Sequence, residues 1–137
     1  MIKVSVFYPN EQGKKFDMDY YWDKHMPMVQ QKFGTACKRV EAEQGLGGIS
    51  PGAPATYIAM CHLYFDSIEA FQTAFGPHAQ AIMADMPNYT NIQPTIQISE
   101  VKIERNLLVD SNLRPYSLVR NRNPAPIARP RKFNLTY

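Results

Sequence analysis

At 137 residues, 45% hydrophobic, 20% charged and 12% aromatic, the chain is one domain's worth of globular material, long enough to bury roughly two thirds of the surface its unfolded form exposes. No apolar run approaches the roughly 18 residues of a membrane span, and Met1 to Tyr8 lacks the layout of a signal peptide, so a cytoplasmic protein without a membrane partner is expected. The net charge of +3 joins two opposed parts: residues 1–104 hold eight Lys/Arg against eleven Asp/Glu, and residues 105–137 hold seven against one, an acidic domain with a basic tail that argues against a nucleic-acid partner.

Ile2, Val4, Val6 and Tyr8 alternate against Lys3, Ser5 and Phe7, the period of two that predicts a first strand. Residues 9–13 are turn chemistry. The period then changes. Met18, Tyr21, Trp22, His25, Val29 and Phe33 recur at steps of three and four and predict a helix with one apolar stripe. Asp17 caps its start, Asp19 sits in its first turn, and Gly34 is expected to end it in the αL conformation. Pro27 lies inside the helix and leaves the Asp23 carbonyl without a donor, so a kink is expected near His25.

A second strand is predicted over 36–44. Residues 45–55 hold four Gly and two Pro and form a loop. Gly45, Gly47 and Gly48 look like a phosphate cradle, but Pro51 and Pro54 stand where such a site needs a helix N-terminus. Thr56 to Phe65 has the strongest alternation, with Tyr57, Ala59, Cys61, Leu63 and Phe65 on one face and Ile58, Met60, His62 and Tyr64 on the other. Asp66-Ser67-Ile68-Glu69 reads as a capping box with Asp66 as cap. It opens a helix through Ile68, Phe71, Phe75, His78 and Ile82, bent at Gly76-Pro77 and closed by Pro87. A fourth strand is predicted over 93–103.

This order, β-α-β-β-α-β, predicts an α+β, ferredoxin-like fold: a four-stranded antiparallel sheet with both helices on one face. The other face, carrying Phe7, Met60 and Tyr64 with Ser5 and His62, is too apolar for water. A second copy is expected to cover it, giving a homodimer through the open sheet face. The fold is assigned to 1–104. Residues 105–137, with four of the eleven prolines, read as a basic arm that packs on the domain or the dimer partner. The two cysteines, Cys37 and Cys61, match no metal or disulfide framework and are expected to be reduced.

The block Phe16-Asp17-Met18-Asp19-Tyr20-Tyr21 followed by His25-Met26-Pro27 resembles the first-helix signature of the EthD family, in the dimeric α/β-barrel superfamily. Leu63-Tyr64-Phe65-Asp66-Ser67 with Glu69-Ala70-Phe71, Asn88-Tyr89-Thr90 and Gln97-Ile98-Ser99 are similar to that pattern too, in register over residues 1 to about 104. The resemblance implies a homodimer whose two sheets close into a barrel, with no metal or organic cofactor required. Relatives in the superfamily include cofactor-free monooxygenases, muconolactone isomerases, polyketide cyclases and haem-degrading enzymes, so fold alone selects no chemistry.

His25 is the candidate catalytic residue. It lies on the apolar stripe, where a neutral imidazole can accept a proton from an acidic C–H or phenol; the alternative is a core histidine bonded to a backbone carbonyl. Ala59 and Cys61 are small where a core strand usually carries bulk, which leaves room for an apolar pocket. Tyr8 and Tyr57 are expected to supply hydroxyls to it, Trp22 a wall, and Cys61 a further wall rather than a nucleophile. The expectation is a cofactor-independent enzyme acting on a small hydrophobic organic molecule, of oxidoreductase (monooxygenase) or isomerase/cyclase type, with His25 as general base. The alternatives are a non-catalytic binding or accessory dimer, and haem binding through His78.

Overall fold

Strand β1 (Ile2–Pro9) occupies an inner place in a four-stranded sheet because both its neighbours pair with it antiparallel: β3 (Tyr57–Phe65) on one side and β4 (Thr95–Glu100) on the other. β2 (Arg39–Gln44) adds to the outer side of β3, giving the order β2-β3-β1-β4, an open sheet whose edges are β2 and β4. The computed structural model describes residues 1–103 and 105, and Met1–Val101 make one compact unit. The predicted arm lies outside the described residues.

The helical segments follow β1 and β3, as the periodicity predicts. Asp17 caps α1 (Met18–Tyr20), its carboxylate accepting from the Tyr20 N–H at 3.0 Å. The kink expected near His25 takes the form of a π-helical turn over Tyr21–His25, in which the Met26 N–H reaches back to the Tyr21 carbonyl. Proline at position 27 offers no N–H to Asp23, and the wider turn absorbs that break before α2 (Met26–Phe33) resumes. Gly34 ends the run at φ +55°, ψ −139°, a positive-φ conformation suited to glycine but outside the αL region that the sequence predicts.

Ser67, not Asp66, is the N-cap of α3 (Ile68–Phe75): its hydroxyl accepts from the Ala70 N–H at 3.0 Å. Asp66 instead faces Lys38 at 3.8 Å. A 3-10 turn at Gly76–His78 bends the chain into α4 (Ala79–Asp85), and a second one at Met86–Asn88 closes it at Pro87. β2 and β4 are shorter than predicted. A 3-10 turn occupies Gly34–Ala36, and β4 starts only after Pro94, which has no N–H for a ladder.

The core lies between the helices and one face of the sheet. Val4, Ala59, Cys61, Leu63 and Phe65 rise from the strands to meet Tyr21, Met26, Val29, Phe33 and Ile82. Full burial of Phe65, ringed by Phe33 and Phe71 at 5.4 and 5.2 Å, contributes about 2–3 kcal/mol. The opposite face carries Phe7, Met60 and Tyr64 on its inner strands, but the Ser5 hydroxyl and His62 Nδ1 meet between them at 2.8 Å, and register brings Glu41 and Glu43 of β2 and Thr95, Gln97 and Ser99 of β4 to its flanks. It is thus more polar than the sequence pattern of β1 and β3 alone suggests.

Candidate functional site

The π-helical turn aims His25 into the core, where it is 4% exposed. Its Nδ1 lies 2.8 Å from Asp85 Oδ2, at the end of α4. Asp85 also accepts from the Tyr20 hydroxyl at 2.7 Å and the Asn88 amide at 3.0 Å. On the other side of the ring, Nε2 lies 3.3 Å from the Tyr89 hydroxyl, which in turn is 2.8 Å from that of Tyr8. The result is a continuous chain, Asp85–His25–Tyr89–Tyr8, from the end of α4 to β1.

Tyr89 is held in place by its neighbours in sequence. Its carbonyl accepts from the Asp17 N–H at 2.7 Å, and the Thr90 hydroxyl donates to the Lys15 carbonyl at 2.6 Å. These bonds pin the end of the second helical run to the start of the first. The Tyr89 ring then lies 4.5 Å from the His25 ring and 5.2 Å from Tyr21.

The electrostatics assign the protons. Burial raises the Asp85 carboxyl, but hydrogen bonds from Tyr20, Asn88 and His25 outweigh it and hold the group below its ordinary value. Burial lowers His25, with the Asp85 carboxylate opposing but not overcoming it, so the imidazole is neutral at pH 7. An ionised carboxylate only accepts hydrogen bonds, so Nδ1 carries the proton and Nε2 is left with its lone pair toward Tyr89. Burial pushes Tyr8 up to about 12 and raises Tyr89 and Tyr21 further, which keeps all three phenols protonated as donors. Burial likewise pushes the Cys61 thiol up to about 11, a wall group and not a thiolate.

A cavity of about 160 Å³ adjoins this chain, between the helices and the sheet. His25, Tyr8, Tyr21, Tyr89 and Cys61 line it beside Val6, Val29, Leu63 and Phe75. Met83 and Ile96 stand in its wall and are 43% and 52% exposed, which marks its mouth. The volume matches that of an apolar cavity of about 150 Å³ known to stay dry and admit benzene, so the space suits one six-membered ring.

Three residues predicted for the pocket are placed elsewhere. The register between β1 and β3 shifts at Tyr8/Pro9, so Tyr57 pairs with Pro9 and packs on Phe7, 5.0 Å between rings, on the far face of the sheet. A β-bulge carries a side chain across a sheet in this way. Ala59 is fully buried beside Tyr8 in the sheet but does not reach the cavity. Trp22 is half-buried, edge-on to Tyr21 at 4.9 Å, and is no part of the cavity wall. His78 lines a separate shallow groove with Lys32, Glu69 and Thr73. Asp85, Tyr20, Tyr21 and Tyr89 are the members that sequence reasoning missed; Ile82, Asp85 and Tyr89 follow at three- and four-residue steps, and an acid on an apolar stripe was the available signal. Among the described residues, no three His, Cys, Asp or Glu side chains converge to hold a metal ion, and no helix is long and apolar enough to cross a membrane.

Comparison with known proteins places the chain in a family. No curated protein matches the chain. An EthD-like protein from Ralstonia eutropha JMP134, whose crystal structure is known, is 48% identical over 76% of this chain and 94% of its own, with a TM-score of 0.73. An ethyl tert-butyl ether D (EthD) family protein from Bacillus halodurans C-125 shares the fold at 20% identity, over 74% of this chain and 98% of its own, with a TM-score of 0.52. The model of the EthD domain matches residues 11–93, a stretch that contains His25, Asp85 and Tyr89, and the chain belongs to the EthD family.

Proposed function

We propose that the chain is a cofactor-independent enzyme acting on a small hydrophobic organic molecule, with His25 as general base. The observation that carries the reading is the Asp85–His25 pair at 2.8 Å, with the Nε2 lone pair turned to the phenols of a ring-sized cavity and held there only by a long contact to Tyr89. A base buried as a neutral imidazole is ready at pH 7, and the carboxylate behind it stabilises the imidazolium that proton abstraction creates. The 3.3 Å contact to Tyr89 is long for a hydrogen bond, and a bound substrate can replace it.

In the step this arrangement performs, a C–H bond next to a carbonyl breaks. The proton goes to Nε2, the electron pair moves onto the carbonyl oxygen, and a neutral phenol donates to the resulting enolate. Return of the proton at another carbon gives an isomer, and attack of the enolate on a second carbonyl gives a ring. In the monooxygenase version the same carbanion transfers its electrons to dioxygen, a C–O bond forms to give a hydroperoxide at that carbon, and cleavage of its O–O bond with loss of the second C–H proton leaves a carbonyl and releases the other oxygen as water. Incubation of a panel of monocyclic ketones and lactones with the protein in D2O tests the shared step. At least one member is expected to exchange its α-proton about 10²-fold or more above buffer, with the gain abolished in His25→Ala; exchange untouched by His25→Ala overturns the assignment.

A binding or accessory role is the second reading, favoured by one observation: both ring nitrogens of His25 already have partners within the chain. Tight ligand binding that survives His25→Ala, without exchange, selects it. In either reading the chain is proposed to be a homodimer through the sheet face centred on Phe7, Met60 and Tyr64. Light scattering is expected to give about twice 15.7 kDa, and a monomer at micromolar concentration overturns this part.

A further inference from the structure

The hydroxyl of Tyr21 is the buried side-chain oxygen or nitrogen that, among the described residues, has no hydrogen-bond partner. The residue is 0% exposed, and it lines the same cavity as His25. The thiol of Cys61 and the phenol of Tyr8 lie close enough to interact weakly with it but do not meet the geometry of a hydrogen bond, and the phenol of Tyr89 is a further polar neighbour. Tyr8 and Tyr89 already bond each other, and Tyr89 also meets His25. A phenol sealed in an apolar core without a partner is unfavourable by an amount comparable to a hydrogen bond, and native proteins rarely carry one without a purpose. A water would need two to four polar partners to stay in that space, and the cavity wall beyond these groups is aliphatic and aromatic.

We infer that Tyr21 is a ligand-binding residue whose hydroxyl donates to a carbonyl oxygen, so that the cavity selects neutral, single-ring carbonyl compounds over hydrocarbons of the same shape. This rests on the reading of the cavity as a small-molecule site and names what that molecule must carry. Three features set the class. The volume of about 160 Å³ limits the body to one ring with a short substituent. Among the described residues no Lys or Arg lines the cavity, so a carboxylate bound there would be desolvated without a counter-charge from them, which favours a neutral ligand. The orphan donor asks for an acceptor, and a carbonyl oxygen held there keeps the molecule in the compartment lined by the His25 ring.

The test uses the full chain and two probes of one shape, benzaldehyde and styrene, which differ in C=O against C=CH2 and have no α-proton on a saturated carbon to be turned over. Dissociation constants are measured by titration calorimetry for the native protein and for Tyr21→Phe. Tyr21→Phe is expected to weaken benzaldehyde about three- to tenfold relative to styrene, the range of one neutral hydrogen bond. It is also expected to leave the melting temperature equal or higher, since it removes an unpaired buried hydroxyl. A benzaldehyde-to-styrene ratio that is the same in both proteins overturns the role of Tyr21, while styrene binding in both leaves the cavity reading intact. Failure of both probes to bind either protein at millimolar concentration overturns the cavity reading and this inference with it. A large fall in melting temperature for Tyr21→Phe overturns the claim that the hydroxyl is unpaired.

Discussion

Replacing Asp85 by Asn isolates the group that sets the tautomer of His25. The amide keeps one oxygen, which can still accept from Tyr20 and Asn88, but it presents N–H where the imidazole now donates. Two donors cannot face each other at 2.8 Å, so Nδ1 must give up its proton and Nε2 must take it. Nε2 then donates to Tyr89 and is no longer a base. One charge-assisted bond is lost, worth about 1.5–3 kcal/mol between buried groups. The Asp85 side chain is 19% exposed, so a discounted cost of about 1–2 kcal/mol is expected. For a domain of this size that is a fall of about 5–10 °C in melting temperature. In the proton-exchange assay the rate should drop about 10²–10⁴-fold, the range seen when a histidine base is held in its wrong tautomer.

Nitrogen NMR of the imidazole reads the effect without any substrate. At pH 7 the native protein should show a neutral ring protonated at Nδ1, and Asp85→Asn a neutral ring protonated at Nε2. If the native ring is an imidazolium at pH 7, or already carries its proton on Nε2, the assignment of His25 as base is wrong.

Acid should destabilise the protein in two separate windows. Burial holds folded His25 below 6.5, so the unfolded chain takes up the proton first and stability falls as the pH drops below about 6.5, until the folded value is reached; Asp85, held below 3.8, contributes stability above its unfolded value that is lost as the pH falls through its folded one. Calorimetric melts from pH 8 to 3 should show both, and His25→Phe should remove the upper window; a melting temperature flat between pH 7 and 5 contradicts the sign. Ser67→Ala should cost about 1 kcal/mol through loss of the helix cap, whereas Asp66→Ala should change stability by less than about half of that; the reverse order would return the cap to Asp66. Filling the cavity from α2 with Val29→Phe should block both probes while leaving stability within about 1 kcal/mol: each Å³ of void filled recovers about 24 cal/mol, and the strain of a larger side chain offsets part of it. Unchanged probe affinity would place the binding site elsewhere.

The parts of this fold that one chain segment determines were legible before its structure. β1 and β3 alternate because one face of each is buried, and His25 is picked out because a polar ring sits on a stripe of Tyr21, Val29 and Phe33. The errors share a cause: each depends on a second segment. Tyr57 obeys its own strand's alternation, but the slip at Tyr8/Pro9 is a property of the pairing and sends the ring to Phe7. Asp66 and Ser67 are equally good caps in isolation, and Lys38, from the start of the β2 segment, lies beside the first of them. Asp85 belongs to the site only because the bend at Gly76–His78 and the π-helical turn bring the ends of two helical runs to the same point. That convergence depends on the irregular element that carries the base. An unbroken α-helix from Asp17 onward would advance its side chains by 100° per residue, whereas a π-turn advances them by less. His25 is the last residue of that turn, two before Pro27, so the wider turn that accommodates the proline sets the direction in which the imidazole points. A part-buried acid, a buried histidine and an unpaired phenol whose ring stacks on that histidine each disfavour folding alone. Asp85 and His25 offset one another through their hydrogen bond, and Tyr21 is left with a donor that a bound carbonyl would complete.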